Sequence, residues 1–283
     1  MIKFGPSGLS EDFKDTGLKT VADAAKWIKS KNLDCFEYSF GRGVNLSTAT
    51  AESIGQAFNQ EQVELSVHAP YFINLATVEE DKALNNIKYI MDSLKMLKVF
   101  GGNRCVFHPG SQMKATREDA MNVLMNAFEN LYKIKQDSEY KDLLICPETM
   151  GKLGQLGDLE EIIRMSQFGD DVVPCIDFGH LNARTIGSIK TKDDYRRILD
   201  RLFEGIGESK AKKIHVHFSK IEYTQKGESK HLTFDDNEFG PDYKPLMELF
   251  KEYKMDAYIV SESAGTQTRD ALLMKNYYTM YNI

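Results

Sequence analysis

Short runs of β-branched and aromatic residues alternate with amphipathic stretches along the whole chain. The short runs predict strands, and apolar residues at helical spacing predict helices. Eight strands are predicted, at Ile2–Gly5, Cys35–Phe40, Glu64–Ala69, Arg104–His108, Leu143–Glu148, Pro174–Asp177, Lys213–Phe218 and Ala257–Ser261. The clearest predicted helices are Thr20–Lys31, Glu79–Phe100, Arg117–Gln136, Leu159–Gln167, Asp193–Ile206, Tyr243–Tyr253 and Thr268–Tyr281. This alternation predicts an α/β fold, a (β/α)8 TIM barrel.

An open, doubly wound sheet is the alternative arrangement of alternating strands and helices. Its nucleotide-binding turn, GxGxxG, does not follow the first predicted strand, so the pattern favours the barrel. No stretch is rich enough in Pro, Gly or Ser to divide the chain, which predicts one domain over residues 1–283. Asp158 before Leu159, with Glu161 three residues later, predicts a capping box.

Composition narrows the functional classes. Hydrophobic content of 42% and charged content of 28% are ordinary for a globular protein. No apolar run is as long as a membrane span, and the first residues lack a signal-peptide pattern, so we expect a cytoplasmic protein without membrane contact. The net charge of -6 argues against nonspecific coating of nucleic acid, but allows a local basic groove or binding through metal ions. The four cysteines form no CxxC pair and are expected to be buried free thiols.

The seventh predicted strand lies in the segment KIHVHFSK, residues 213–220. Side chains of a strand alternate between its two faces, so His215 and His217 share one face, while Val216 and Phe218 share the other. Two neighbouring imidazoles on one face are typical of a metal site, because neutral imidazole is a common metal ligand.

Polar residues also follow the predicted strands three to eight. In a barrel these strand ends meet at one mouth. The candidate ligands are His68, His108, Glu148, Asp177, His180, His215, His217, His231 and Glu262. A lone histidine at such a place is more often structural, and a lone carboxylate can cap the next helix. Nine ionisable groups in one cavity would be costly without compensation, and metal ions offset that cost.

Histidine and carboxylate ligands without cysteine suit Zn²⁺, with Mn²⁺ or Fe²⁺ as alternatives. Nine candidates exceed the needs of one ion, and they predict two or three ions that share a bridging carboxylate. Glu148 lies centrally in the order and is the expected bridge. Sites with several metal ions mostly catalyse hydrolysis, above all of phosphoesters.

The segments SVHAPYFINLA, CVFHPGS, ICPETMGKLGQLG, CIDFGHLNA and HVHFSK resemble the endonuclease IV family of apurinic/apyrimidinic endonucleases. The likeness runs along nearly the whole chain in the same order and is greatest for a divergent branch of the family. It implies a (β/α)8 barrel with three zinc ions that cuts the DNA phosphodiester on the 5′ side of an abasic site.

The resemblance also implies roles for individual residues. His68 and His108 would bind one zinc ion, and Glu148 would bridge it to a second. Asp177, His215 and Glu262 would complete the second site, while His180 and His231 would hold a third ion. His217 stands where the family more often has asparagine, so it would be an extra ligand or a residue behind the ligands. Glu148 and Glu262 would be the catalytic carboxylates, with Glu262 as a ligand that can also accept a proton.

Two departures from the family affect this assignment. The family has an aspartate two residues before the last histidine, where this chain has Ser229; Glu228 could replace it if the loop shifts. Among DNA contacts, Tyr71 matches a residue that the family inserts into DNA, whereas Arg42 is only loosely placed. Lys220 lies on a mouth loop, where it could meet a phosphate.

The leading hypothesis is therefore a metal-dependent endonuclease of base excision repair that acts on damaged double-stranded DNA, and we expect it to be a monomer. A single-metal sugar isomerase or epimerase is the alternative, with Glu148, Asp177, His215 and Glu262 around one ion. The remaining histidines favour the nuclease, because the isomerase does not need them as ligands. A third hypothesis is an inert barrel that binds damaged DNA or a partner.

Overall fold

The computed structural model describes residues 1–281 and shows a TIM barrel, as the alternation of strands and helices predicts. The eight barrel strands are β1 (Lys3–Pro6), β2 (Cys35–Ser39), β3 (Glu64–His68), β4 (Arg104–Phe107), β5 (Leu144–Pro147), β6 (Cys175–Asp177), β7 (His215–Phe218) and β8 (Tyr258–Ser261). Each lies within two residues of its predicted bounds. Residues 282 and 283, included in the prediction of one domain over residues 1–283, lie outside the described residues.

The helices lie between and after these strands. They are α1 (Glu11–Lys14), α2 (Val21–Ser30), α3 (Thr48–Gln60), α4 (Glu80–Phe100), α5 (Arg117–Gln136), α6 (Leu159–Ser166), α7 (Phe178–Arg184), α8 (Lys192–Ile206), α9 (Glu208–Ala211), α10 (Tyr243–Glu252) and α11 (Gln267–Met280). All seven predicted helices are present. The capping box of α6 is confirmed, since the side chains of Asp158 and Glu161 each accept the other's backbone N–H, at 2.9 and 3.0 Å.

The barrel closes from two parallel sheets of four strands. One has the order β1-β8-β7-β6, and the other has the order β2-β3-β4-β5. Isolated parallel bridges join the two sheets, one between Ser7 and Glu37 and one between Glu148 and Cys175. Both Glu37 and Glu148 therefore lie where the sheets meet, and both point polar side chains into the barrel.

Two further pairs of short strands lie at the mouth of the barrel. Gly110–Ser111 pairs with Gln155–Leu156, and Ile221–Thr224 forms an antiparallel hairpin with Gly227–His231. The apolar core packs between the barrel and the helices, and the four cysteines are buried and free, as predicted. No helix within residues 1–281 is both long and apolar enough to span a membrane.

Four helices were not predicted, namely α1, α3, α7 and α9. Helix α3 begins after Ser47, whose side chain accepts the N–H of Thr50 at 3.1 Å. Helix α7 begins directly after β6, where Oδ1 of Asp177 accepts the N–H of His180 at 2.7 Å. His180 therefore follows the strand, as predicted, but lies on a short helix that was not among the predicted ones. The seven residues of α7 are too few for a periodic pattern to show in the sequence.

Candidate metal centre

The nine predicted ligands gather at the C-terminal end of the barrel, but not all in one layer. Eight of them form, together with Glu228, three groups at the mouth, and within each group the ligand atoms lie within 4.8 Å of one another. The first group contains His68, His108 and Glu148; the second contains Glu148, Asp177, His217 and Glu262; and the third contains His180, Glu228 and His231. We call these residues together the mouth cluster. His215 is the predicted ligand that lies outside it.

Glu148 connects the first two groups through its two oxygens. Its Oε2 lies 3.1 Å from Nε2 of His68 and 3.2 Å from Nε2 of His108. Its Oε1 lies 3.0 Å from Nδ1 of His217 and 3.4 Å from Nδ1 of His180. The side chain is almost completely buried where β5 ends, so the carboxylate stands in the position that a bridging ligand requires.

Backbone carbonyls fix the tautomers of three histidines. Nδ1 of His68 lies 2.7 Å from the carbonyl oxygen of Ala69. Nδ1 of His108 lies 3.0 Å from the carbonyl oxygen of Tyr71. Nδ1 of His180 lies 2.9 Å from the carbonyl oxygen of Thr149. A carbonyl only accepts, so each Nδ1 carries the proton. Each neutral ring then turns the lone pair of Nε2 towards carboxylate oxygens, an arrangement that needs a cation or a second proton between them.

Burial and charge act against each other at the carboxylates. Burial opposes ionisation of Glu148, but the surrounding imidazoles, His217 first, hold its pKa well below the usual range. Burial raises the pKa of Asp177 in spite of His180. Oδ2 of Asp177 is buried and has no hydrogen-bond partner among residues 1–281. Such an atom is costly unless a ligand satisfies it, so the donor set fits a metal ion.

The structure reverses the roles assigned to the two histidines of β7. Asp177 is paired in register with His217, whereas Cys175 is paired with His215. His217 therefore lies beside Glu148 and Glu262, with Nδ1 3.6 Å from Oε2 of Glu262, and His215 lies one layer deeper. The assignment of His215 to the second group was wrong in position, because likeness of a sequence segment does not fix the depth of a strand residue in the barrel.

Glu228 takes the place where the family pattern calls for an aspartate at position 229. Its Oε2 lies 3.5 Å from Nε2 of His180, and its Oε1 lies 3.9 Å from Nε2 of His231. The hairpin register shifts between Glu222 and Tyr223, so Ser229 is the extra residue of a β-bulge. The bulge turns Glu228 and His231 to the same side, although their spacing of three positions would put them on opposite sides of a regular strand.

A glycine makes room for this hairpin. A Cβ atom on Gly151 would lie 2.7 Å from Cβ of Glu228 and 3.0 Å from Cδ2 of His180. The loop after β5 and the hairpin can approach only because residue 151 has no side chain. Ser219 supports the same group, since its Oγ lies 2.9 Å from Nδ1 of His231.

The predicted DNA contacts differ in position. Tyr71 is 55% exposed and lines the mouth cavity together with Lys152 and Gln155. Arg42 is exposed on the loop after β2 and does not line that cavity within the described residues. Lys220 donates an ammonium N–H to the backbone carbonyl of Asp236, which holds the side chain against its own loop.

Sequence reasoning missed Glu37, which lies fully buried on β2 below the mouth. Its Oε1 lies 2.8 Å from Nε2 of His217, and its Oε2 lies 3.0 Å from Nε2 of His215. The available signal was a glutamate in the middle of the apolar run CFEYS, on the face that points into the barrel.

Sequence similarity to known proteins extends over most of the chain. The sequence model of a family described as xylose isomerase-like TIM barrel matches residues 25–276. An uncharacterized protein of Methanocaldococcus jannaschii is 30% identical over 98% of this chain and 97% of its own. A probable endonuclease 4 of Methanosphaera stadtmanae is 28% identical over 75% of each chain.

Solved structures share the same fold. Endonuclease IV from Thermus thermophilus has a TM-score of 0.71 at 18% identity, covering 99% of this chain and 100% of its own. A D-tagatose 3-epimerase-like protein has a TM-score of 0.72 at 21% identity, covering 98% and 96%. At these identities the likeness concerns the fold, which serves enzymes of two different kinds.

Proposed function

The chain belongs to the xylose isomerase-like TIM barrel family, and we propose that within it the protein is a metal-dependent endonuclease that hydrolyses DNA 5′ to abasic sites. The observation that carries the proposal is the convergence of three ligand groups around Glu148. A single ion does not need His68, His108, His180 and His231. Sequence similarity to the probable endonuclease 4 of Methanosphaera stadtmanae, which covers 75% of each chain, supports the same function.

The mouth cluster fits two or three divalent ions. His68, His108 and Glu148 would hold one; Glu148, Asp177, His217 and Glu262 a second; and His180, Glu228 and His231 a third. Nitrogen and oxygen donors without sulphur suit Zn²⁺ and allow Mn²⁺ or Fe²⁺. Ions held there would supply water of lowered pKa and neutralise charge on a phosphate.

The chain's own residues orient the reaction. Glu148 holds the first two groups at a fixed separation, because both of its oxygens are engaged. Glu262 has a side chain that is 18% exposed at the mouth, where it can accept a proton from the attacking water. Lys152 lines the same cavity and is placed to contact the phosphodiester.

Damaged double-stranded DNA is the proposed partner. Tyr71 presents an exposed ring at the rim, in edge contact with Phe72 at 5.9 Å between ring centroids. Such rings provide stacking surfaces for bases. Arg42 and Lys220 stay predicted DNA contacts, with Arg42 the better exposed of the two. We further propose that residues 1–283 act as one barrel domain, as a monomer, in cytoplasmic base excision repair.

The test is incision of a duplex oligonucleotide that carries one abasic analogue, beside an undamaged duplex. Wild type is assayed with and without prior chelation, next to Glu148→Gln, and metal is counted on the same preparations. We expect incision 5′ to the lesion that is lost after chelation. We also expect about two or three metal ions per chain in the active protein. Absence of incision by fully metal-loaded protein would contradict the proposal.

A single-metal sugar isomerase or epimerase is the second candidate. The second group, Glu148, Asp177, His217 and Glu262, offers three carboxylates and one imidazole around one position, which suits proton transfer between neighbouring carbons. His217 replaces the His215 expected from the sequence. His68→Asn separates the two functions: it should abolish incision by a nuclease and spare sugar isomerisation by a single-metal enzyme.

A further inference from the structure

A further set of metal-ligating side chains extends from His217 at the mouth into the layer below it. It consists of Glu37, Cys175, His215 and His217, which we call the inner cluster. All four side chains are fully buried. The pairing of β6 with β7 sets Cys175 beside His215, and the ligand atoms of Cys175, His215 and His217 lie within 4.8 Å of one another.

Close contacts between Glu37 and the two imidazoles of the inner cluster lack hydrogen-bond geometry. The two oxygens of Glu37 lie 2.8 Å from Nε2 of His217 and 3.0 Å from Nε2 of His215. Yet Oε1 of Glu37, both ring nitrogens of His215 and Nε2 of His217 have no hydrogen-bond partner among residues 1–281. Oε2 of Glu37 does have a partner, the Ser66 hydroxyl, which donates to it at 3.0 Å.

Unpaired polar atoms are costly in a barrel interior, and here Oε1 of Glu37 and the Nε2 atoms of His215 and His217 lie close together. Asp177 in the mouth cluster shows the same two features: it lies close to other ligand atoms, and its buried Oδ2 has no hydrogen-bond partner among residues 1–281. A cation among these atoms would satisfy their lone pairs at once. Hydrogen bonds within the inner cluster would satisfy them only if the rings rotated.

We propose that the inner cluster binds a divalent cation of the zinc type, held by Glu37, Cys175 and His215, with Nε2 of His217 as the fourth ligand. Zn²⁺ binds cysteine sulphur, histidine nitrogen and carboxylate oxygen, and its closed structural sites have four ligands. On binding, a sulphur–metal bond replaces the S–H bond of Cys175, and the proton leaves to the buffer. The charges of the Glu37 carboxylate and the Cys175 thiolate then balance the ion.

His217 would connect the inner cluster to the mouth cluster. Its Nδ1 faces Glu148 and its Nε2 faces Glu37, so the ring can bind one ion at each nitrogen once its remaining N–H proton has passed to the buffer. The negative charge of that imidazolate would be shared between the two ions. The inner cation would then fix the orientation of His217 at the mouth. The inference goes beyond the proposed reaction, because the inner cluster does not line the mouth cavity where a substrate would bind.

Sulphur distinguishes the two clusters, since the mouth cluster contains no cysteine. The protein is stripped of metal, loaded with Co²⁺ and examined for a thiolate-to-cobalt charge-transfer band in the near ultraviolet. We expect the band in wild type and in Cys105→Ser, and its loss in Cys175→Ser. Cys105 is a matched control, because it is equally buried but belongs to none of the groups of close ligand atoms among the described residues. Cys175→Ser should also hold about one cobalt ion fewer per chain.

A second variant guards against a folding defect. His215→Asn removes a different ligand and should also remove the band, while circular dichroism reports whether each variant is folded. Wild type that binds cobalt at the mouth but shows no thiolate band would overturn the inner site. The incision assay is independent: a band without incision rejects only the proposed endonuclease, and incision without a band rejects only the inner cation.

Discussion

Nδ1 of His217 on β7 lies 3.0 Å from Oε1 of Glu148 at the end of β5. This contact crosses the barrel interior and brings together the ligand groups that strands three to eight provide. Because the other oxygen of Glu148 faces His68 and His108, any change to this carboxylate should disturb two metal positions at once.

Glu148→Gln should reduce incision of abasic DNA by more than about 100-fold, since even residues behind metal ligands commonly change activity by about 10–100-fold. The amide keeps the size of the side chain but cannot offer two anionic oxygens. Initial rates and metal content are measured on the same samples. Unchanged metal content with full activity would contradict a bridging role for Glu148.

Glu228→Gln should lower metal content by about one ion per chain and slow incision, because Glu228 supplies the carboxylate of the third group. Ser229→Ala is the matched control, since Ser229 is exposed on the bulge, and it should behave like wild type. The reverse result, a large effect of Ser229→Ala and none of Glu228→Gln, would mean that the hairpin adopts another register.

His217→Asn should weaken retention of metal at the mouth more than His215→Asn does. The reason is that His217 belongs to the second group, whereas His215 lies below the mouth and contacts Glu37, which in turn contacts His217. Release of metal to a chromophoric chelator, followed in time, separates the two variants. Equal rates for both would refute the depth order that the register of β6 and β7 gives.

Metal binding at the first group should release protons and strengthen as pH rises. Burial by itself would lower the pKa of His68, but the neighbouring Glu148 carboxylate raises it to about 9. In the metal-free protein, His68 is therefore protonated near neutral pH, and the proton competes with the ion until the pH passes about 9. Calorimetry in buffers of different ionisation enthalpy measures this release. His68→Asn should release fewer protons, and a pH-independent affinity in wild type would contradict the prediction.

Tyr71→Ala should weaken binding to abasic duplex by about 1–3 kcal/mol, the usual range for loss of one stacking ring. The ring is 55% exposed, so thermal stability should change little. Leu84→Ala is the control, because Leu84 is similarly exposed on the outer helix α4. Fluorescence anisotropy with a labelled duplex gives both affinities, and identical values would remove Tyr71 from the DNA interface.

The sequence by itself determined the barrel and the types of ligand at its mouth. Strand periodicity and helix caps are local properties, so the eight strands and seven of the helices could be located from neighbouring residues alone. The parallel strands of a barrel end at one mouth, and this rule alone was enough to predict that His68, His108, Glu148 and Glu262 lie together.

Tertiary structure decided the depth and facing of individual side chains. The pairing of Asp177 with His217 placed His217 at the mouth and His215 below it, and a bulge at Ser229 turned Glu228 towards His180. Glu37 contacts His215 and His217 from β2, a strand that is far from β7 in the sequence. Register and bulges depend on contacts between strands that are distant along the chain, so the spacing of residues within one segment cannot fix them.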